Sequence, residues 1–141
     1  MQSYDIHNAA PPSATAVTSD EGLALGRAWL DRKLGEYAAL GADWDGYGGM
    51  PARPQSVADA RQFLNSLYAR APLPKPMLAG SGEISLFWEN GGNYAEVSFP
   101  GDRTFHYFID SPDLTANEDD LSIERRTLPR QLTDFLRAQF Y

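Results

Sequence analysis

Apolar positions in this chain follow helical spacing toward both ends and strand-like alternation in the middle. Leu23, Leu30, Leu34 and Tyr37 recur on one stripe and predict a first helix, with Ser19 or Asp20 as its cap, Glu21 near its positive end and Gly41 as its stop. Val57, Ala60, Leu64, Leu67 and Tyr68 share a face of a second helix that begins at Ser56. Pro72, Pro74 and Pro76 end it and force an extended connection. Leu128, Leu132, Phe135, Leu136 and Phe140 give the buried stripe of a final helix starting at about Pro129, where proline suits a first turn.

Between these helices the period changes to two. Ile84, Leu86 and Trp88 point one way, and Ser85, Phe87 and Glu89 the other. Asn90-Gly91-Gly92-Asn93 is a hairpin signal, because glycine supplies the positive φ of tight turns. With Gly91-Gly92 as the loop, Glu89 meets Tyr94, Trp88 meets Ala95, Leu86 meets Val97 and Ile84 meets Phe99, so apolar residues oppose apolar ones on one face. A three-residue turn over Gly101–Arg103 then sets Phe99 opposite Phe105, Val97 opposite Tyr107 and Ala95 opposite Ile109. A two-residue turn would bury Thr104 and His106 instead. Asp110 to Asp120 reads as an acidic surface loop, and Leu121 to Thr127 as a short edge strand. The fold expected is α+β: an antiparallel meander of three to four strands, with two N-terminal helices and one C-terminal helix packed on one face. Residues 1–18, rich in Ala, Pro, Ser and Thr, read as a flexible N-terminal arm, and 19–141 as a single α+β domain.

Composition narrows the chemistry. The 141 residues suffice for one core of ordinary size, and 12% aromatic content supplies large rings for it. No cysteine is present, which removes disulfides, thiolate nucleophiles and thiolate metal sites. Met1 to Thr18 has no basic start and no apolar run, so no secretory signal is expected there, no stretch is long enough to span a bilayer, and the cytoplasm is the expected compartment. A net charge of −7 disfavours direct binding to nucleic acid, since the basic residues cluster only weakly at Arg125, Arg126 and Arg130, as a solvated helix start would. Acidity fits a basic or nucleic-acid-binding protein partner, or imitation of nucleic acid.

Asp43-Trp44-Asp45-Gly46-Tyr47-Gly48-Gly49-Met50-Pro51 is the most distinctive segment. One reading is architectural: Trp44 and Tyr47 enter the core, while Asp43 and Asp45 bond nearby N–H groups. The other is a rigid loop that presents an aromatic ring and two carboxylates to a partner. It lacks the preceding strand, the directly following helix and the nearby lysine of a phosphate-binding loop. His7 and His106 are the only histidines, too few for a metal site and without a Ser-His-Asp arrangement. Neither a catalytic residue nor a cofactor or metal is expected. Paired carboxylates, Glu89 with Glu96 or Asp43 with Asp45, leave an acid–base hydrolase as the enzymatic alternative. Phe87, Tyr94, His106 and Phe108 would project from the outer sheet face among Ser85, Glu89, Glu96 and Ser98, the composition of a protein-binding patch. The competing explanation is that a helix or a second copy, as in a homodimer, covers them.

The loop resembles the Trp-Asp-Gly-Tyr-Gly-x-x-Pro signature of small bacterial proteins often carried on mobile or accessory DNA. Trp44, Asp45, Gly46, Tyr47, Gly48 and Pro51 carry the match, followed by Phe63, Leu64 and Leu67, the prolines from Pro72 to Pro76, and Trp88-Glu89. The similarity spans about residues 23–110, with Asp43 where the common pattern has Asn and Gly49 where it has Ala. The resemblance implies no catalytic residue. It implies a setting in which an antitoxin, an immunity factor or an inhibitor of a bacterial defence system would be at home. The function expected is therefore a non-catalytic, acidic protein-binding module that acts stoichiometrically, with a nucleic-acid mimic as the alternative.

Overall fold

The structure, a computed structural model, describes residues 20–140. The arm expected over 1–18 and the cap at Ser19 lie outside the described residues. Three helices and a five-stranded antiparallel sheet make an α+β fold: α1 (Asp20–Ala39), α2 (Pro54–Leu64), β1 (Lys75–Leu78), β2 (Ile84–Asn90), β3 (Asn93–Phe99), β4 (Thr104–Asp110), β5 (Thr115–Ser122) and α3 (Arg130–Gln139). The strands lie side by side in chain order.

The central register follows from burial. Ile84 pairs with Phe99, Leu86 with Val97, Trp88 with Ala95 and Glu89 with Tyr94, around the two-residue turn at Gly91-Gly92. Across the next turn Val97 meets Tyr107 and Ala95 meets Ile109. All of these apolar residues are buried and join residues of α1, α2 and α3 in one core. A slip by one residue would exchange Leu86, Trp88 and Val97 for Phe87, Glu89 and Glu96. That would forfeit on the order of 2 kcal/mol per large apolar side chain and strip water from two carboxylates.

Two strands depart from expectation. The proline-rich connection contains β1, whose Lys75, Pro76, Met77 and Leu78 pair with Phe87, Leu86, Ser85 and Ile84. Proline is tolerated because β1 is an edge and need not donate outward. The segment expected as an acidic loop is instead a tight turn, closed by Ser111 N–H to Leu114 O at 2.9 Å, followed by β5. Only Leu114, Ala116 and Leu121 of this region pack on the core, so hydrophobic alternation is too faint to reveal a strand held mainly by backbone bonds to β4. Beyond Ser122 the expected edge strand gives way to turns, with Ile123 buried. The sheet thus has five strands, not three or four. β5 also carries a bulge, two residues opposing His106 between the Phe105 and Tyr107 pairs, with Asp120 at φ 56°.

Helix α2 starts at Pro54, two residues before Ser56, because proline's fixed φ suits the first turn. Ser56 has a different task. Fully buried, it accepts from Ile84 N–H at 2.8 Å and donates to Phe99 O at 2.6 Å, splicing α2 into the end of the β2–β3 ladder. One turn further, buried Asp59 accepts from Arg103 N–H at 3.0 Å and from Gln55 Nε2 at 2.8 Å, which holds the β3–β4 turn. Phe63 then stacks edge-on against Phe99 and Phe105, with ring centroids 5.5 and 5.2 Å away.

Replacing Ser56 by Ala strands one buried N–H and one buried C=O. Ser56→Ala should lose about 2–4 kcal/mol in urea unfolding, with little change in the slope. A loss under about 0.5 kcal/mol, the usual range for uninvolved sites, would show that the splice carries no weight.

Candidate functional site

Side chains of opposite parity to the core form the other face of the sheet. The pairing arranges them in rows: Met77, Ser85, Ser98 and His106; then Lys75, Phe87, Glu96, Phe108 and Asn117; then Glu89, Tyr94, Asp110 and Thr115. Every outer-face residue singled out from sequence (Phe87, Tyr94, Glu96, His106 and Phe108) therefore lies on one continuous surface. Phe87 stacks on Tyr94 with centroids 5.9 Å apart, and Tyr94 packs against Phe108 at 5.6 Å. Phe108 is 37% exposed, while Phe87, Tyr94, Glu96 and His106 are half-buried.

Glu96 sits at the centre of this surface, directly across from Phe87 on one side and Phe108 on the other. The Tyr94 hydroxyl donates to its Oε1 at 2.6 Å, and Ser98 Oγ donates to its Oε2 at 3.1 Å. Ser98 Oγ lies 2.9 Å from Ser85 Oγ, and both serines are buried. Partial burial, then the bond to Glu96, raise the Tyr94 phenol above its ordinary value, so it stays a donor across the physiological range. Sequence reasoning placed Ser85 and Ser98 on this face but missed that they close a chain of hydroxyls onto Glu96. Two serines opposite each other at Ser85↔Ser98 were the available signal.

The glycine-rich loop is separate from this face. It is clasped from within: Asp43 Oδ1 accepts from Gly48 N–H at 2.7 Å, and Asp45 Oδ1 accepts from Tyr47 and Gly49 N–H, each at 2.9 Å. Trp44 packs on the core edge and donates from Nε1 to Met50 O at 2.8 Å, while Met50 N–H ties the loop to Gly80 O. Both carboxylates are thus turned inward, in keeping with the architectural reading. Tyr47 does not follow that reading, because it stands 93% exposed at the tip, where no neighbour offers apolar cover. The clasp leaves little room at Gly49, where a Cβ would come within 2.8 Å of Asp45 Cγ and of Trp44 Nε1.

Among the described residues, no group of three or more His, Cys, Asp or Glu is placed to hold a metal ion, and no helix is long and apolar enough to cross a membrane. No family model, no curated protein and no solved structure matches the chain.

Gly49→Ala should cost about 1–3 kcal/mol of stability, since the clasp must open to admit a methyl group. Tyr47→Ser, by contrast, should stay within about 0.5 kcal/mol of the parent. Equal effects in thermal unfolding would refute the clasp. The Tyr47 N–H chiefly, and the Gly49 N–H with it, hold the Asp45 carboxyl below its ordinary value of 3.8. A depressed folded value adds stability that is complete above the unfolded value and is lost as pH falls through the folded one. The melting temperature should therefore fall more steeply below about pH 4 in the parent than in Asp45→Asn; parallel curves would contradict this.

Proposed function

We infer that this chain acts by stoichiometric binding to another protein, without catalysis, through the outer face of its sheet. The reading takes the three helices as covering only the opposite face. The observation that carries it is the cluster of Phe87, Tyr94 and Phe108, in which the Tyr94 ring packs against both phenylalanine rings beside Glu89, Glu96 and Asp110. Aromatic area ringed by polar groups is the composition of an interface centre with its rim. The rings come on rigid strands already paired on both sides, so little conformational entropy is lost when a partner docks. Acidic borders favour a partner with a basic surface, including one that itself binds nucleic acid. An antitoxin, an immunity factor or an inhibitor of a bacterial defence system, acting in the cytoplasm, fits this mode and the resemblance of the Trp44–Pro51 loop.

The carboxylates bear on the alternatives. Asp43, Asp45 and Glu96 are all engaged as hydrogen-bond acceptors within the fold, which suits structural anions better than a free general acid. Glu118 pairs with buried Tyr107, whereas Asp119 and Asp120 share the bulge opposite His106, so the three do not form the single line of charge a nucleic-acid mimic presents.

The test is affinity capture from the cells in which the chain is found, with the molar ratio of any co-purifying protein quantified. A partner at fixed stoichiometry that is lost from the Phe87→Ser/Phe108→Ser double variant, while circular dichroism stays native, is the expected result. A partner retained by that variant, or a chain that stays alone across repeated captures, would sink the reading.

A further inference from the structure

The outer face changes character at Glu96. Phe87 and Phe108 lie level with it, and Tyr94 lies on the side of the Gly91-Gly92 turn. On the other side a groove of about 340 Å³ opens, lined by Met77, Glu83, Ser85, Glu96, Ser98 and His106. We propose that this groove seats one arginine side chain of the protein partner, its guanidinium between Glu83 and Glu96 and its aliphatic stem along Met77. The proposal rests on the docking reading above and specifies what feature of the partner the face selects.

Proton direction is the first reason. A serine hydroxyl has a single proton, and that of Ser98 is directed at Glu96 Oε2. Ser85 must then be the donor in the 2.9 Å contact between the two hydroxyls. The Tyr94 proton also runs to Glu96. Each hydroxyl proton of the chain is committed inward, so Ser85 and Ser98 offer the groove only lone pairs. Both serines are buried, at 5% and 8% exposure, so what they turn to the groove can be met only by a donor.

Charge and size give the second reason. Glu83, Glu89, Glu96 and Asp110 stand on or beside this face, against the single lysine Lys75 at its far edge. Apart from the His106 imidazole, the polar lining is carboxylates and lone pairs, which repels phosphate and favours a ligand made of donors. Guanidinium has five N–H groups in one plane and no acceptor, whereas ammonium presents its donors from a point. Phe87 and Phe108, level with Glu96 on either side, supply ring surface against which a guanidinium plane can lie. The volume is at the lower bound for small-molecule pockets, as befits one side chain.

The probe is N-acetyl-arginine amide, added to the ¹⁵N-labelled chain and followed by amide chemical shifts, with N-acetyl-norleucine amide as the uncharged comparison. The expected result is saturable shifts at Ser85, Glu96, Ser98 and His106 for arginine alone, weakened about tenfold in Glu83→Gln and in Glu96→Gln. Absence of saturable shifts at these amides, equal response to norleucine, or parent-like affinity in both variants would overturn the proposal. The Glu83 carboxylate is met by Ser81 Oγ at 3.4 Å, a weak contact, so Glu83→Gln decides the matter should Glu96→Gln fail to fold. Capture of the partner separates the two levels. A partner lost on Phe87→Ser/Phe108→Ser yet held undiminished by Glu83→Gln refutes the arginine seat and leaves the docking face standing.

Discussion

The Ser56 hydroxyl lies where α2 meets the ends of β2 and β3, bonded to Ile84 N–H and Phe99 O. Strand ends ordinarily leave such groups to water, and here they are buried beneath a helix, so the hydroxyl is what allows the helix to close over them. Asp59 repeats the device one turn later on the β3–β4 turn, where Arg103 adopts a positive φ of 69°. Together they fix α2 across two strands and bring Phe63 onto Phe99 and Phe105. Glycines complete the contact: at Gly82 a Cβ would meet Pro51 O at 2.5 Å, and at Gly101 it would come within 3.3 Å of Ser56 N. Which sheet face is buried, and hence which remains for a partner, follows from this junction.

What could be read from sequence and what could not divide along physical lines. The β2–β3 and β3–β4 registers were legible because burial of Ile84, Leu86, Trp88, Val97 and Tyr107 tolerates only one alignment. The stripe of α1 from Leu30 through Tyr37 and that of α3 were legible for the same reason, with α3 beginning at Arg130, just after Pro129; Leu23, expected on the α1 stripe, is only half-buried. β1 and β5 were hidden because edge strands draw on backbone pairing more than on side-chain burial, and because proline in one and acids in the other imitate loops. Sequence assembled the outer-face set of Phe87, Tyr94, Glu96, His106 and Phe108 from parity alone. It could not reveal the hydroxyl chain onto Glu96, which depends on rotamers, nor that Tyr47 points outward while Trp44 packs inward.

The outer face and the glycine-rich loop differ in how they hold their acids. In the loop, Asp43 and Asp45 are turned to backbone N–H groups of the loop itself. On the sheet, Glu96 is served by hydroxyls, which fix its orientation. A carboxylate so oriented among aromatic rings is placed to meet a cation, because its neighbours bring no competing positive charge.

Among the described residues, the eight-residue strand β5 ends the sheet with backbone groups that no neighbouring strand takes up. Such an open rim invites templated growth by further copies of the same chain. Glu118, Asp119 and Asp120 stand along it, and the bulge with its left-handed Asp120 bends the rim out of line. Any second copy that approached rim to rim would bring like charges together along a kinked track. The acids and the bend thus work against edge-to-edge growth along this strand.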